Sequence, residues 1–292
     1  MQRPLLVIFV DFEKAFDSVF RQALWTILRG YGIPDKIVRM IRCLYDGFSC
    51  TVLHEGELSR HFLVETGVKQ GCLLSGLLFV IVIDWLMIET TARRDTGVAW
   101  VEDEVLEDLN YVDDLALTSE GIDDTQEKIV RLVRKAKKVG LKVNVKKTKI
   151  LRMNCPDDRD VTIGGERLEE VEDFCYLGGI LTQYGGSAED VAARLQKARG
   201  AFENLRAVWR SREISRETKL TFFGSIVEST LLYGCECWTL TRALEKRIQV
   251  FQRKCLRRIL RVFYPMRISN VELYRRTGQK DIVVKVIESK WW

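Results

Sequence analysis

Asp11 ends a run of six apolar residues, Leu5, Leu6, Val7, Ile8, Phe9 and Val10. Far downstream, two adjacent aspartates, Asp113 and Asp114, sit inside the segment VLEDLNYVDDLALTSE. An unbroken apolar run predicts a strand buried on both faces. The second segment predicts two short strands meeting at an acidic turn. If the two pack side by side, Asp11, Asp113 and Asp114 share one small volume, and their repulsion demands a proton or a cation. Hard carboxylate oxygens select Mg²⁺ or Mn²⁺. Two such ions, about 3.5–4 Å apart, stabilise the attacking and leaving oxygens of an in-line phosphoryl displacement. Taken alone, the Asp pair fits ordinary turn chemistry better, because Asp bonds its own backbone in turns.

Further segments decide between these readings. FVDFEKAFDSV is followed by GVKQGCLLSGLLF (Gly67 to Phe79), YVDD (Tyr111 to Asp114), GLKVNVKKTKIL (Gly140 to Leu151) and FCYLGGIL (Phe174 to Leu181), with STLLYGCECWTLT (Ser229 to Thr241) beyond them. In order and spacing they resemble the catalytic motifs, primer grip and thumb-side signature of reverse transcriptases from non-LTR (LINE-type) retrotransposons. The resemblance runs over nearly the whole chain. It implies an α+β fold: a polymerase palm, an antiparallel sheet packed on helices, over residues 1–185, then a basic, mostly helical thumb over 186–292.

The resemblance also assigns roles. Asp11, Asp113 and Asp114 become the ligands of two Mg²⁺ (or Mn²⁺) ions, with Asp11 and Asp113 bridging both and the Phe12 carbonyl adding a ligand. Phe16 lies under the incoming sugar, where a ring excludes a 2′-hydroxyl. Gln70 and Gly71 open a long helix at the nascent base pair, and Gly71 lets the backbone approach closely. Lys147 stands near the departing pyrophosphate as general acid or point charge. Phe174, Tyr176, Leu177 and Gly178 hold the primer end. Arg194 and Arg199, with Lys197, Arg206 and Arg210, track duplex backbone by charge. The implied partners are an RNA template, a DNA primer and deoxynucleoside triphosphates, with no membrane. The implied setting is intracellular, nucleus and cytoplasm. The implied reaction is RNA-directed addition of deoxynucleotides to a primer 3′-hydroxyl. Two other readings stand beside it: a catalytically inactive remnant that binds nucleic acid, and a two-metal nuclease. The nuclease fits the acids but not the Gln70-Gly71 and Phe174 to Leu181 segments.

Departures from the family pattern weigh more than the matches where activity is concerned. Phe20 stands where the family has Asp, and Leu73 and Gly76 replace two prolines of the second motif. The sequence starts at the first catalytic motif, without the fingers region or an endonuclease ahead of it. It reads as a piece of a longer open reading frame, truncated at both ends, with the catalytic acids intact.

Composition fits one or two well-buried domains: 292 residues, 47% hydrophobic and 30% charged. The longest apolar stretch, Leu73 to Met87, is broken by Ser75, Gly76 and Asp84 and reads as too short to span a bilayer. The N-terminus carries no cleavage-site pattern. Eight cysteines lack zinc spacing, with only His54 and His61 as histidine partners, and read as reduced structural thiols. Charge is unevenly divided. Residues 193–292 hold 22 Lys and Arg against 9 Asp and Glu, a net +13, while residues 1–192 are net −8. An acidic half that holds metal and a basic half that grips phosphates suit one another.

The elements that must position these groups follow from periodicity. Helices are expected over Ser18 to Tyr31, Pro34 to Tyr45, Leu73 to Ala92 and Thr125 to Val139. A β-hairpin is expected over Cys50 to Val64 and a strand over Leu141 to Met153. A helix to Trp209 is expected to start at Ser187, capped by its hydroxyl with Asp190 three residues on. The rest, to Trp292, is expected to be mostly helical.

Overall fold

The computed structural model describes residues 3–92, 96–100 and 104–291. The chain divides into two compact units, Met1–Glu172 and Asp173–Trp292. The division falls earlier than the expected 185/186, so the segment carrying Phe174 and Tyr176 belongs to the second unit. Trp292, the expected end of the helical stretch, lies outside the described residues.

The first unit is built on a five-stranded sheet. Its strands are β1 (Leu5–Val10), β2 (Asp108–Tyr111), β3 (Asp114–Ser119), β4 (Lys149–Met153) and β5 (Glu169–Val171), in the order β5-β4-β1-β3-β2. β1 is central and antiparallel to both neighbours, with Ile8 opposite Ile150 on one side and Leu117 on the other. Its even positions, Leu6, Ile8 and Val10, join the main hydrophobic core, while Val7 and Phe9 are buried on the opposite face. Burial on both sides is why the run carries no polar alternation.

Five helices accompany the sheet: α1 (Ala15–Ser18), α2 (Arg21–Gly30), α3 (Asp35–Cys43), α4 (Leu73–Thr90) and α5 (Ile122–Lys138). α4 and α5 supply Phe79, Val82, Leu86, Ile129, Leu132 and Ala136 to the core of the sheet. α4 runs on past Met87 to 18 residues, so by length and composition it is long and apolar enough to cross a membrane, contrary to the reading of the shorter stretch. Here its buried side is the centre of the first unit's core. The hairpin expected over Cys50 to Val64 is present as paired Leu53–His54 and Glu57–Leu58, extended by Ser49–Cys50 against Phe62–Leu63.

The strand expected from Leu141 begins only at Lys149. Before it, the chain makes a single bridge, Phe12 to Val143, and then turns, with Lys147 N and Thr148 N both donating to Asn144 O. Local turn bonds replace ladder bonds there, which ends the pairing.

The second unit opens with a hairpin, β6 (Asp173–Tyr176) and β7 (Gly179–Thr182). Helices follow: α6 (Ala188–Asn204), α7 (Arg206–Arg210), α8 (Arg216–Phe222), a π-helical turn Phe223–Glu228, α9 (Ser229–Leu232), α10 (Arg242–Ile259), α11 (Asn270–Thr277) and α12 (Ile282–Ser289). The α6 stripe Val191, Leu195, Ala198 and Phe202 packs with Phe223, Val227, Ile248 and Leu256. The single helix expected to Trp209 breaks at Leu205. The break folds Trp209 back, its indole donating to Phe202 O at 2.7 Å and its ring stacking on Phe202 at 4.9 Å. Ser187 precedes α6 but does not cap it through its side chain. Its hydroxyl accepts from Thr239 N instead, at 2.8 Å.

Candidate active site

β1 and β3 place two of the acids. The ladder's last pair is Val10 with Leu115, so the same register extended by one residue sets Asp11 opposite Asp114. Tyr111 pairs with Asp114, which leaves Val112 and Asp113 as a two-residue turn. Val112 has φ 59, a left-handed conformation that a β-branched residue rarely adopts. Such a residue costs on the order of 1–3 kcal/mol and persists only where its surroundings over-determine it. Two anchors do so here. Val112 packs against the main core. Lys128, 1% exposed, donates to Glu107 Oε2 and to Thr118 O at 2.6 Å each, tying the base of the acidic hairpin to α5.

Asp114 is held above the ordinary carboxylate range, first by desolvation and then by the charges of Asp113 and Asp11. Asp11 Oδ2 is shielded from solvent and accepts no hydrogen bond. Among the described residues, no group of three or more His, Cys, Asp or Glu side chains is arranged so that it could hold a metal ion. The Lys147 ammonium stands 3.9 Å from Asp11 Oδ2. An orphaned, shielded carboxylate oxygen beside two further carboxylates is a donor set that suits a hard divalent cation. The antiparallel bridge at Phe12 runs its hydrogen bonds through Asp11 O and Glu13 N. The Phe12 carbonyl therefore takes no part in them, while its ring is buried in the core.

The turn after Val143 embraces the end of β1. Asp11 O accepts from Asn144 N at 2.8 Å, and Asp11 N donates to Thr148 Oγ1 at 3.3 Å. Thr148 is fully buried. Neither Asn144 nor Thr148 was singled out in the sequence. Their signal was adjacency to Lys147 in a segment whose lysines dominate the reading.

Gln70 and Gly71 do not open α4; they lie in the turn before it, and Cys72 is the residue at its N-cap. Gly71 has φ +85 with open space around it, so its requirement is conformational. Gly67 has the sterically critical position: at φ +77, an added Cβ would fall 2.6 Å from Asp17 Cα. Arg21 braces this loop, its guanidinium donating to Gly67 O at 2.9 Å and Thr66 O at 3.0 Å. Phe16 is joined to the loop through its carbonyl, which accepts from Val68 N at 2.7 Å. Its half-buried ring stacks on Phe79, with centroids 4.4 Å apart.

In the second unit, Phe174 and Tyr176 lie on β6, with Leu177 and Gly178 as its two-residue turn. Arg199 is exposed on α6. Arg194 is not: it is 6% exposed and donates to Gly178 O at 2.5 Å. A guanidinium so enclosed does not track phosphates, which corrects the role expected of it.

A central antiparallel strand that ends in an aspartate, beside a strained acidic hairpin and over a helical layer, defines a nucleic-acid polymerase palm. The sequence profile described as "Reverse transcriptase (RNA-dependent DNA polymerase)" matches residues 1–181. The chain belongs to that family. A second profile, for a domain of unknown function, matches residues 201–233.

Among curated relatives, the Pol polyprotein of a type-2 retrotransposable element of Drosophila melanogaster is 29% identical over 203 residues, covering 64% of this chain and 19% of the relative. The RNA-directed DNA polymerase from the mobile element jockey of Drosophila funebris is 26% identical over 278 residues, covering 90% and 29%. An uncharacterized transposon-derived protein of Caenorhabditis elegans is 28% identical over 159 residues, covering 53% and 57%. The chain thus spans between 19% and 57% of the length of these relatives. Among solved structures, apo telomerase from Candida tropicalis aligns with TM-score 0.48 and 16% identity, over 99% of this chain and 47% of that one.

Proposed function

We propose that this chain is the catalytic portion of a non-LTR retrotransposon reverse transcriptase, which extends a DNA primer on an RNA template with deoxynucleoside triphosphates. The observation that carries the reading is the strand register that brings Asp11 opposite Asp114, with Asp113 in the adjoining turn, at the end of the central sheet. Asp11 and Asp113 would hold the divalent cations, with Asp114 and the Phe12 carbonyl as supporting donors. Bound Mg²⁺ supplies charge stabilisation at the attacking and leaving oxygens. Lys147, paired with Asp11 in the resting site, swings to the pyrophosphate oxygen and offers its proton or charge there. Phe16, seated on Phe79, excludes a 2′-hydroxyl. The Gln70-Gly71 turn backs the nascent base pair. The hairpin turn Leu177-Gly178 holds the primer terminus, and the exposed cations of the second unit follow the duplex backbone.

Primer extension on an RNA template tests the reading. Wild-type chain with Mg²⁺ is expected to yield templated product, and Asp113→Asn to yield none while keeping its fold by circular dichroism. Retained extension in Asp113→Asn would dismiss these acids as the site. Wild-type chain that binds primer–template without ever extending it would leave a nucleic-acid-binding protein.

A further inference from the structure

The β6–β7 turn is strained and unusually well fastened. Leu177 has φ 48 and Gly178 φ 81, so both central residues occupy the left-handed region. That sign pattern belongs to a type I′ turn, whose first position favours Asn, Asp or Gly. Leucine there persists only if neighbouring groups hold it.

The neighbours are specific. Tyr233 Oη donates to Leu177 O at 3.2 Å, and Arg194 Nη2 donates to Gly178 O at 2.5 Å. The Arg194 guanidinium lies over the Tyr233 ring, 4.3 Å from its centroid, so the two donors brace each other. A Cβ on Gly178 would meet Arg194 Nη2 at 3.2 Å and Tyr233 at 3.3 Å, so another side chain at the turn would have to push these two groups aside. Behind them, buried Asp190 accepts from Ile180 N on β7 at 3.2 Å and from the Trp238 indole at 2.6 Å. The turn's two carbonyls and the first strand residues after it are thus held by one face of α6 and by the segment Tyr233 to Trp238. This accounts for the STLLYGCECWTLT motif, which no catalytic role had absorbed.

We infer that Arg194 and Tyr233, backed by Asp190 and Trp238, are positioning residues that lock the Leu177-Gly178 turn in the conformation that seats a primer terminus. The inference rests on the primer-holding reading of this hairpin given above. Arg194 and Tyr233 act through the two carbonyls they donate to. Duplex affinity then belongs to the exposed cations, whereas the placement of the 3′-terminal base belongs to this lock.

The test uses the full chain with a primer–template duplex carrying 2-aminopurine at the primer 3′ end. Wild-type binding is expected to change the fluorescence of that base. Tyr233→Phe and Arg194→Lys should lose at least half of the change, while duplex affinity by anisotropy stays within about twofold. Hydrogen exchange serves as the folding control. Amides of β6 and β7 should exchange faster in the variants, by roughly two- to tenfold, the range a single lost hydrogen bond spans, with α10 unchanged. Variants that keep the full fluorescence change would overturn the lock and leave the primer-holding reading standing. Faster exchange throughout α10 would reduce both residues to general stability and overturn it too. A wild-type chain that binds duplex with no change at the terminal base would instead refute the primer-holding reading, and the lock with it.

Discussion

Lys147 and Asp11 face each other across the turn that embraces the end of the central strand, with Nζ 3.9 Å from Oδ2. That oxygen accepts no hydrogen bond, and the ammonium is the positive charge the structure sets against it. A divalent cation entering the site must displace this contact. Lys147→Met should therefore tighten Mg²⁺ binding, by up to roughly fivefold, the ceiling for an exposed ion pair. The same variant should slow extension if the ammonium serves the leaving pyrophosphate. Titration calorimetry with Mg²⁺ reads the first effect. Weaker binding would show that Lys147 supports the metal site and does not compete with it.

Asp114 makes stability depend on pH in a definite direction. Desolvation, then the charges of Asp113 and Asp11, raise its carboxyl above the ordinary value of 3.8. The folded state consequently binds this proton more tightly than the unfolded chain does. Its contribution is favourable below 3.8 and is lost as pH rises through the elevated value. Asp114→Asn should raise the melting temperature at pH 7 and change it little at pH 4. Mg²⁺ neutralises the same charge, so it should stabilise wild type more than the variant. Equal Mg²⁺ shifts in both proteins would place the cation elsewhere.

The main strand pattern was open to reading because burial on both faces of β1 leaves an unbroken apolar run that ends at a charge. The acidic hairpin was legible for a similar reason: two short strands flank it directly. The strain at Val112 was not, since nothing in a Tyr-Val-Asp-Asp string announces a positive φ. Arg194 misled because an arginine on a basic helix looks solvated, and its burial depends on Tyr233 and Gly178, both remote in sequence. Ser187 and Asp190 matched a capping pattern, but longer-range donors, Thr239 N, Ile180 N and the Trp238 indole, claim their oxygens. The break at Leu205 arises because Trp209 packs on Phe202, a contact that helical periodicity does not encode.

Phe16 packs on Phe79, and the proposed function gives it sugar selectivity as well. Its stack on Phe79 means that truncation to Ala would remove core contacts as well as the barrier to a 2′-hydroxyl. Phe16→Val keeps an aliphatic surface on Phe79 and opens the same space. Ribonucleotide incorporation relative to deoxynucleotide should rise about tenfold or more, a change of ~1.4 kcal/mol in discrimination. Competition assays on one template measure the ratio. Unchanged selectivity would return Phe16 to the core alone.

Gly67 fixes the loop that carries Gln70 and Gly71. An alanine there meets Asp17 backbone at 2.6 Å and inherits φ +77. Backbone atoms cannot step aside as a flexible side chain would, so Gly67→Ala should destabilise the first unit by ~2 kcal/mol or more. Urea denaturation reads the loss, and Gly71→Ala, with open space around its site, should cost less. Equal effects would mean that conformation alone, without the close approach, sets the requirement.

With Arg194 buried, the phosphate contacts that the proposed function calls for are expected of other residues. Arg199, Arg247 and Lys254 are exposed on α6 and α10 around a cavity of about 350 Å³, floored by Phe202 and Phe251. Three phosphate contacts change the logarithmic salt dependence of binding by about 2.7 on B-form DNA. Replacing all three by glutamine should flatten the slope by up to that amount and weaken every sequence alike, as backbone contacts do. Arg194→Lys should leave the slope intact, because its guanidinium is enclosed by Gly178 and Tyr233. Binding measured from low to moderate salt separates the two sets. A slope that falls with Arg194→Lys and ignores the triple variant would reverse the assignment, placing the phosphate path on the hairpin side of α6.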